Sequence, residues 1–260
     1  MEKPLTIDLN CDLGESFGVY KIGNDKEMMK YVSSVNVACG FHAGDASTMR
    51  KTVSLALEEG VAIGAHPGFP DLQGFGRREM NISPAEIYDI TLYQISALKG
   101  FIEAEGGSLH HVKPHGALYN LAATNGEVAE AIARAIFHLD KQLILYGLAG
   151  SRLISEGKKL GLQIANEGFV DRTYTSQGQL TPRTDSNATI TSEELAFKQA
   201  MKMVKEQKVV SITGEEVFVE VNTICIHGDG EKAVEFAKML KRQLMEHQIF
   251  INSIKKDGSY

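Results

Sequence analysis

Seven times along the chain a short β-rich run is followed by a loop and then a helical pattern. The runs are LTIDLN, SSVNVA, VAIGAH, HHVKPH, LILYGL, QIANEG and VFVEVNTICIH. Strands that alternate with helices at this spacing pair in parallel, because a parallel connection must be long enough to hold a helix. With seven such units, no linker and no compositional break in 260 residues, the chain reads as one α/β domain over 1–260. A closed, irregular seven-stranded (β/α) barrel is expected rather than an open doubly wound sheet. Helix punctuation agrees. Ser83 to Glu86 has the spacing of a capping box with Pro84 in the first turn, Thr124 to Glu127 and Thr191 to Glu194 repeat that spacing, and Gly60 and Gly161 follow helical patterns.

Alternation inside the strands says more than their number. In the first run Leu5, Ile7 and Leu9 share one face, while Asp8, Asn10 and Asp12 share the other; in the third, Val61 and Ile63 oppose Ala62, Gly64 and His66. The apolar set is expected to face the helices. The same parity then turns Asn36, His111, Lys113, Glu167 and Asn222 into the barrel. A purely structural barrel interior is filled by layers of Val, Ile and Leu, and unpaired polar groups there cost stability. A polar interior is better explained by a site.

In βα barrels the working residues sit at the C-terminal strand ends and on the loops that follow. Those loops here are CDLGESFG, ACGFHAGD, AHPGFPDLQGFGRRE, KPHGALYN, EGFVDRTYTSQGQLTPRT and HGDGE, and they hold His42, His66, His115 and His227. His66 and His115 are candidates for proton transfer, with Asp12, Glu15 or Asp45 as partners, since imidazole titrates near working pH. Lys113 would stabilise developing negative charge, or form a buried pair with Asp8, Asp12 or Glu167. Arg77 and Arg78 would clamp a carboxylate or phosphate. Asn10, Asn36, Glu167, Asp171 and Arg172 complete the candidate substrate contacts. In NVACGFHAGD, Cys39 reads as a packed thiol, Gly40 and Gly44 as turn formers, and Asp45 as the cap of a helix from Ala46.

Two histidines and a carboxylate can hold a divalent ion, and Asp12, His42 and His66 are the candidates for a protein-bound transition metal; no HxxxH or HExxH spacing supports them. No GxxxxGK[ST] motif occurs, and GSRLISEGKK reads as a helix. Gly228, Asp229 and Gly230, leading into a helix near Glu231, are a phosphate candidate. The connection from Gly168 to about Ile190 exceeds the roughly 12–15 residues beyond which loops are usually functional, and with Asp171, Arg172, Tyr174 and Arg183 it is a candidate lid.

Composition excludes other classes. The 27 basic residues are scattered among 33 acidic ones, for a net charge of −6, which argues against nucleic acid. No apolar run suits a secretion signal or a membrane span, and Cys11, Cys39 and Cys225 form no CxxC pair, so a cytoplasmic protein with reduced thiols is expected.

Taken together, DLNCDLGESFG, NVACGFHAGD, GAHPGFPDLQGFGRR, VKPHGALYN and the EGFVDRTY to LTPR segment resemble the LamB/YcsF family from the first strand to the seventh. The resemblance implies a seven-stranded barrel related to glycoside hydrolases and polysaccharide deacetylases. It implies the role of an A subunit working with B and C subunits as an ATP-dependent 5-oxoprolinase, which turns 5-oxo-L-proline, ATP and water into L-glutamate, ADP and phosphate. ATP is then a co-substrate, with Mg2+. Opening the lactam needs a base for water, an acid for the ring nitrogen and a cation for the substrate carboxylate. Two other classes fit the same residues: a metal-dependent hydrolase or deacetylase of small amides, and a non-catalytic, substrate-binding member of a larger complex.

Overall fold

A computed structural model describes residues 4–226 and 233–256. Seven parallel strands close a barrel: β1 (Leu5–Leu13), β2 (Ser34–Ala38), β3 (Ala62–His66), β4 (His111–Val112), β5 (Ile144–Leu148), β6 (Ile164–Phe169) and, after the hairpin strands β7 (Lys208–Val210) and β8 (Glu216–Phe218), β9 (Thr223–Ile226). Neighbours pair in that order, and β9 returns to β1 with Asp8 opposite Thr223 and Asn10 opposite Cys225. A further strand, β10 (Ile249–Ile251), lies beside the start of β1, extending the sheet below the ring.

The helices are α1 (Asp25–Met29), α2 (Ala46–Glu59), α3 (Pro84–Ala104), α4 (Gly116–Thr124), α5 (Gly126–Leu139), α6 (Arg152–Lys159), α7 (Glu193–Glu206) and α8 (Ala233–Glu246). Leu9, Cys11, Val35, Val37, Ile63 and Ala65 are fully or almost fully buried in the core between strands and helices. The Ser83 capping box forms in full, and Gly60 ends α2 in the left-handed region. Two other expected caps are displaced by one residue. Asn125, not Thr124, caps α5 by accepting from the amides of Glu127 and Val128, and Ser192, not Thr191, caps α7 by accepting from Leu195. A side-chain oxygen one residue later reaches the free amides better in each case.

The seventh expected run joins two different strands. Glu216–Phe218 pairs antiparallel with β7 in a separate hairpin, and only Thr223–Ile226 enters the barrel. That break shifts the parity, so Thr223 and Cys225 point inward. Asn222 is corrected accordingly: its side chain accepts from the amide of Asn166 between strand starts instead of facing the polar interior. The long connection after β6 is pinned rather than loose. The Arg172 guanidinium donates to the carbonyls of Ala188 (3.1 Å) and Thr181 (2.6 Å), and Gln199 donates to those of Phe169 and Arg172.

Candidate active site

Along the barrel axis the inward polar residues form a ladder of hydrogen bonds. At the bottom the Asp8 carboxylate accepts from Ser33, Ser34, Tyr146 and Thr223; burial, only partly offset by those donors, raises its pKa. Above it Asn10 donates to Glu167 (3.0 Å) and accepts from Asn36 (2.8 Å), whose own carbonyl receives His111 Nε2 at 2.8 Å. Lys113, 2% exposed, sits at the centre. Its Nζ lies 3.0 Å from Asp12, 2.9 Å from Glu167, 3.2 Å from Asn10 and 3.1 Å from Cys225 Sγ. Burial opposes its charge, but the Asp12 and Glu167 carboxylates outweigh that and hold its pKa well above the ordinary lysine range. Three protons meeting four acceptors leave the ammonium fully engaged. The Tyr119 hydroxyl donates to the second oxygen of Glu167 at 2.6 Å.

At the top of the ladder lies a cavity of about 500 Å³. Asp12, Glu15, His66, Lys113 and His115 line it, together with Phe75, Arg77, Arg172, Arg183 and Thr181. Pro114 ends β4 after two paired residues, and His115 becomes the N-cap residue of α4 without a side-chain capping bond, so its ring turns into the site. His66 ends β3. Its Nδ1 lies 2.7 Å from the Lys113 carbonyl, and its Nε2 lies 3.3 Å from Asp12 Oδ2 and 2.9 Å from His115 Nδ1. His115 Nε2 lies 2.8 Å from the Phe75 carbonyl. His42 comes from the turn between β2 and α2, where Asp45 accepts from the amides of Thr48 and Gly18 as expected of a cap. Gly44 has φ +77, and a Cβ there would meet the Gly14 carbonyl oxygen at 2.8 Å. The His42 ring stacks on His115 at 3.7 Å with 2° between planes. Burial, then the neighbouring imidazoles, keeps both rings neutral: the pKa of His42 falls well below the ordinary value, and that of His115 to about 3.

The expected residues divide by position. Asp12, Glu15, His66, Lys113, His115, Arg77 and Arg172 meet at the cavity, with His42 directly behind it. Asn10, Asn36 and Glu167 lie beneath its floor, where their polar atoms hold one another, Lys113 and Asp12; they do not line it. Arg78 turns away to bind Asp71 within its own loop, because consecutive side chains there diverge, and Asp171 stands off the cavity wall. Gly228, Asp229 and Gly230, with His227, lie outside the described residues. The expected metal trio changes membership: Glu15, His42, His66 and His115 bring one donor atom each within 4.8 Å of one another, while Asp12 is held by Lys113 and Asn36. Tyr119 and Phe75 also line the cavity, although no sequence signal singles them out, and Arg183 joins them from the expected lid. The cysteines are buried and free; Cys39 donates to the Val37 carbonyl, and burial pushes its thiol up to about 12.

The model of the LamB/YcsF family matches residues 7–258. The A subunit of 5-oxoprolinase from Bacillus cereus (strain AH187) is 60% identical over 247 residues, which cover 95% of this chain and 98% of that protein. The crystal structure of a lactam utilization protein from Thermus thermophilus superposes with a TM-score of 0.92 at 46% identity, covering 96% of this chain and all of that one. A family 4 carbohydrate esterase from Streptomyces lividans shares the fold at 11% identity, with a TM-score of 0.50 over 96% of this chain and 93% of that one. None of the described helices is long and apolar enough to cross a membrane.

Proposed function

The chain belongs to the LamB/YcsF family, and from that premise we propose that it is the A subunit of a 5-oxoprolinase. It hydrolyses 5-oxo-L-proline to L-glutamate, as one barrel domain over 1–260, in the cytoplasm with B and C subunits. The reaction is coupled to hydrolysis of ATP, supplied with Mg2+. The observation that carries this reading is the 60% identity to a protein of that name along 95% of the chain.

The cavity suits the chemistry. A lactam is a resonance-stabilised amide, so ATP drives its opening by converting the amide oxygen to a phosphoryl ester. That makes the ring carbon electrophilic and gives it a good leaving group. His66 then takes the proton of the attacking water through Nε2, with Asp12 3.3 Å away to stabilise the imidazolium that forms. His115, whose Nδ1 lies 2.9 Å from His66 Nε2, shares that proton and returns it to the ring nitrogen as the C–N bond breaks. This leaves the acyl phosphate of glutamate, which a second water hydrolyses to glutamate and phosphate. Lys113 holds Asp12 in place, which is a positioning role rather than direct oxyanion binding. Arg77, its guanidinium 5.0 Å from the Phe75 ring centre, receives the substrate carboxylate, and Arg183, which also lines the cavity, adds positive charge. The test is ATP-dependent glutamate release from 5-oxoproline, by this chain alone and with its B and C partners. Glutamate formed only in the mixture is the expected result. A mixture lacking this chain that works equally well overturns the reading.

A further inference from the structure

Glu15, His42, His66 and His115 hold geometry that proton transfer by His66 and His115 does not account for. Main-chain carbonyls fix two of the rings. The short contacts of His66 Nδ1 to the Lys113 carbonyl and of His115 Nε2 to the Phe75 carbonyl place a proton on each of those nitrogens. In a neutral ring the other nitrogen is then a bare lone pair. Those two lone pairs, on His66 Nε2 and His115 Nδ1, face each other at 2.9 Å and repel unless a cation accompanies them. Two nitrogens each about 2.1 Å from one tetrahedral metal ion stand about 3.4 Å apart, so the pair reaches ligating distance by opening roughly half an ångström.

His42 supplies an independent observation. Its ring is fully buried, yet neither nitrogen has a hydrogen-bond partner among the described residues, and Nε2 points at Glu15 Oε1 from 3.8 Å. Leaving a buried ring nitrogen unmatched is costly, and ligation through Nε2 removes that cost for one of the two. The backbone is shaped around the cluster too. A Cβ on Gly68 would meet His42 Nδ1 at 2.7 Å, and one on Gly76 would meet His42 Cβ at 2.7 Å and His115 Cδ2 at 2.8 Å.

We propose that Glu15, His42 Nε2, His66 Nε2 and His115 Nδ1 bind one divalent transition-metal ion of the zinc class at the cavity floor. Three imidazoles and one carboxylate suit zinc, cobalt or iron and not Mg2+, which takes oxygen ligands, so this ion is distinct from the one that accompanies ATP. The two ring-to-carbonyl contacts are the outer partners that ligating histidines use to fix their orientation. Charge fits as well: neutral imidazoles and one carboxylate leave a divalent ion with a net positive charge, and Asp12 beside His66 offsets it. A bound ion would supply Lewis acidity to a carbonyl or phosphoryl oxygen in the cavity. An ion there engages the lone pairs of His66 Nε2 and His115 Nδ1, so in the loaded site it replaces the proton-transfer role proposed above for those rings, and Asp12, 3.3 Å from His66, is the base that remains. The site stands whether or not 5-oxoproline is the substrate.

The alternative cation is a proton shared by His66 and His115, and metal titration separates the two. The purified full chain, stripped with a chelator, is titrated with Zn2+ alone by calorimetry and with Co2+ by visible absorption. One ion per chain, ligand-field bands of nitrogen and oxygen coordination with Co2+, and a Tm raised by Zn2+ are expected. Glu15→Gln and His42→Gln should each weaken binding by more than the roughly 10–100-fold that loss of an outer partner costs. Circular dichroism checks that each variant is folded; should His42→Gln fail, Glu15→Gln on the cavity wall carries the comparison. No stoichiometric binding of either ion by the wild-type chain overturns the proposal, as does a folded Glu15→Gln that binds as tightly as wild type. Chelation leaving glutamate release intact would separate this site from the proposed reaction without touching the binding result.

Discussion

Lys113 Nζ and Asp12 Oδ1 lie 3.0 Å apart at the floor of the cavity, and the same ammonium reaches Glu167 at 2.9 Å. One buried cation thus bridges two carboxylates, one of them fully enclosed. Such a pair is expensive to break from one side, because the remaining charges keep their desolvation penalty. Lys113→Met should therefore destabilise the chain by about 3–5 kcal/mol. Adding Glu167→Gln should restore part of the loss by removing one uncompensated charge. Urea midpoints at unchanged m-value measure both. A single variant as stable as wild type would show that the lysine is not what holds the carboxylates.

His66 faces Asp12 and the cavity at once, so its removal should act on chemistry more than on folding. With the B and C subunits present, His66→Ala should lower kcat by about 10²–10⁴-fold, the usual span for a lost proton-transfer group, with circular dichroism unchanged. Near-normal turnover would remove His66 from the role assigned to it.

Neighbouring arginines should behave differently. Arg77 lines the cavity, whereas Arg78 is spent on Asp71 in the loop. Arg77→Ala should raise KM for 5-oxoproline by roughly 10–100-fold, the worth of a charge-assisted hydrogen bond. Arg78→Ala should leave KM where it is. Equal effects on KM from the two variants would argue that the loop is disturbed as a whole.

What could be read in the sequence follows from the range of each signal. The inward face of β1, with Asp8, Asn10 and Asp12, was legible because strand alternation is local and every partner is polar. The capping box at Ser83 was legible for the same reason. Asn222 was not, because a continuous run of β-formers conceals the point where a hairpin strand ends and a barrel strand begins. The three-residue strands β7 and β10 are too short to carry a periodic signal. Arg77 and Arg78 are identical in type and adjacent, so only the folded loop separates them. His42 and His115 stack across 73 residues of sequence, a relationship that closure of the barrel alone creates. Rim histidines could be named as a group; which nitrogens converge could not.

Stability should depend on pH through the lower part of the ladder. His111 is fully buried, and burial first, then the charges of His110 and Lys113, holds its pKa well below the ordinary 6.5. On unfolding it returns to that value, so below 6.5 the unfolded chain binds more protons and stability falls as the pH is lowered. Asp8, its pKa raised, acts with the opposite sign: its contribution is lost as pH rises through its folded pKa. His111→Gln isolates the histidine and keeps a donor for Asn36. The drop in wild-type Tm from about pH 8 to about pH 5 should shrink in this variant. An equal drop in both would place the acid sensitivity elsewhere.

Two glycines separate packing from backbone conformation. Neither Gly68 nor Gly100 has a left-handed φ, so Ala at either position meets no backbone strain. At Gly100, inside α3 and exposed, an added methyl meets nothing within 4 Å. Gly100→Ala should stabilise the chain by about 0.8–1 kcal/mol, through helix propensity alone. At Gly68 the same methyl would stand 2.7 Å from His42 Nδ1 and 3.1 Å from its Cγ. The ring, buried and stacked on His115, can yield only by carrying its neighbour with it. Gly68→Ala should therefore lower glutamate release steeply while Gly100→Ala leaves it unchanged, with thermal melts run beside the assay. If Gly68→Ala keeps full activity, the position of the His42–His115 stack does not control turnover, and the site tolerates more movement than its packing implies.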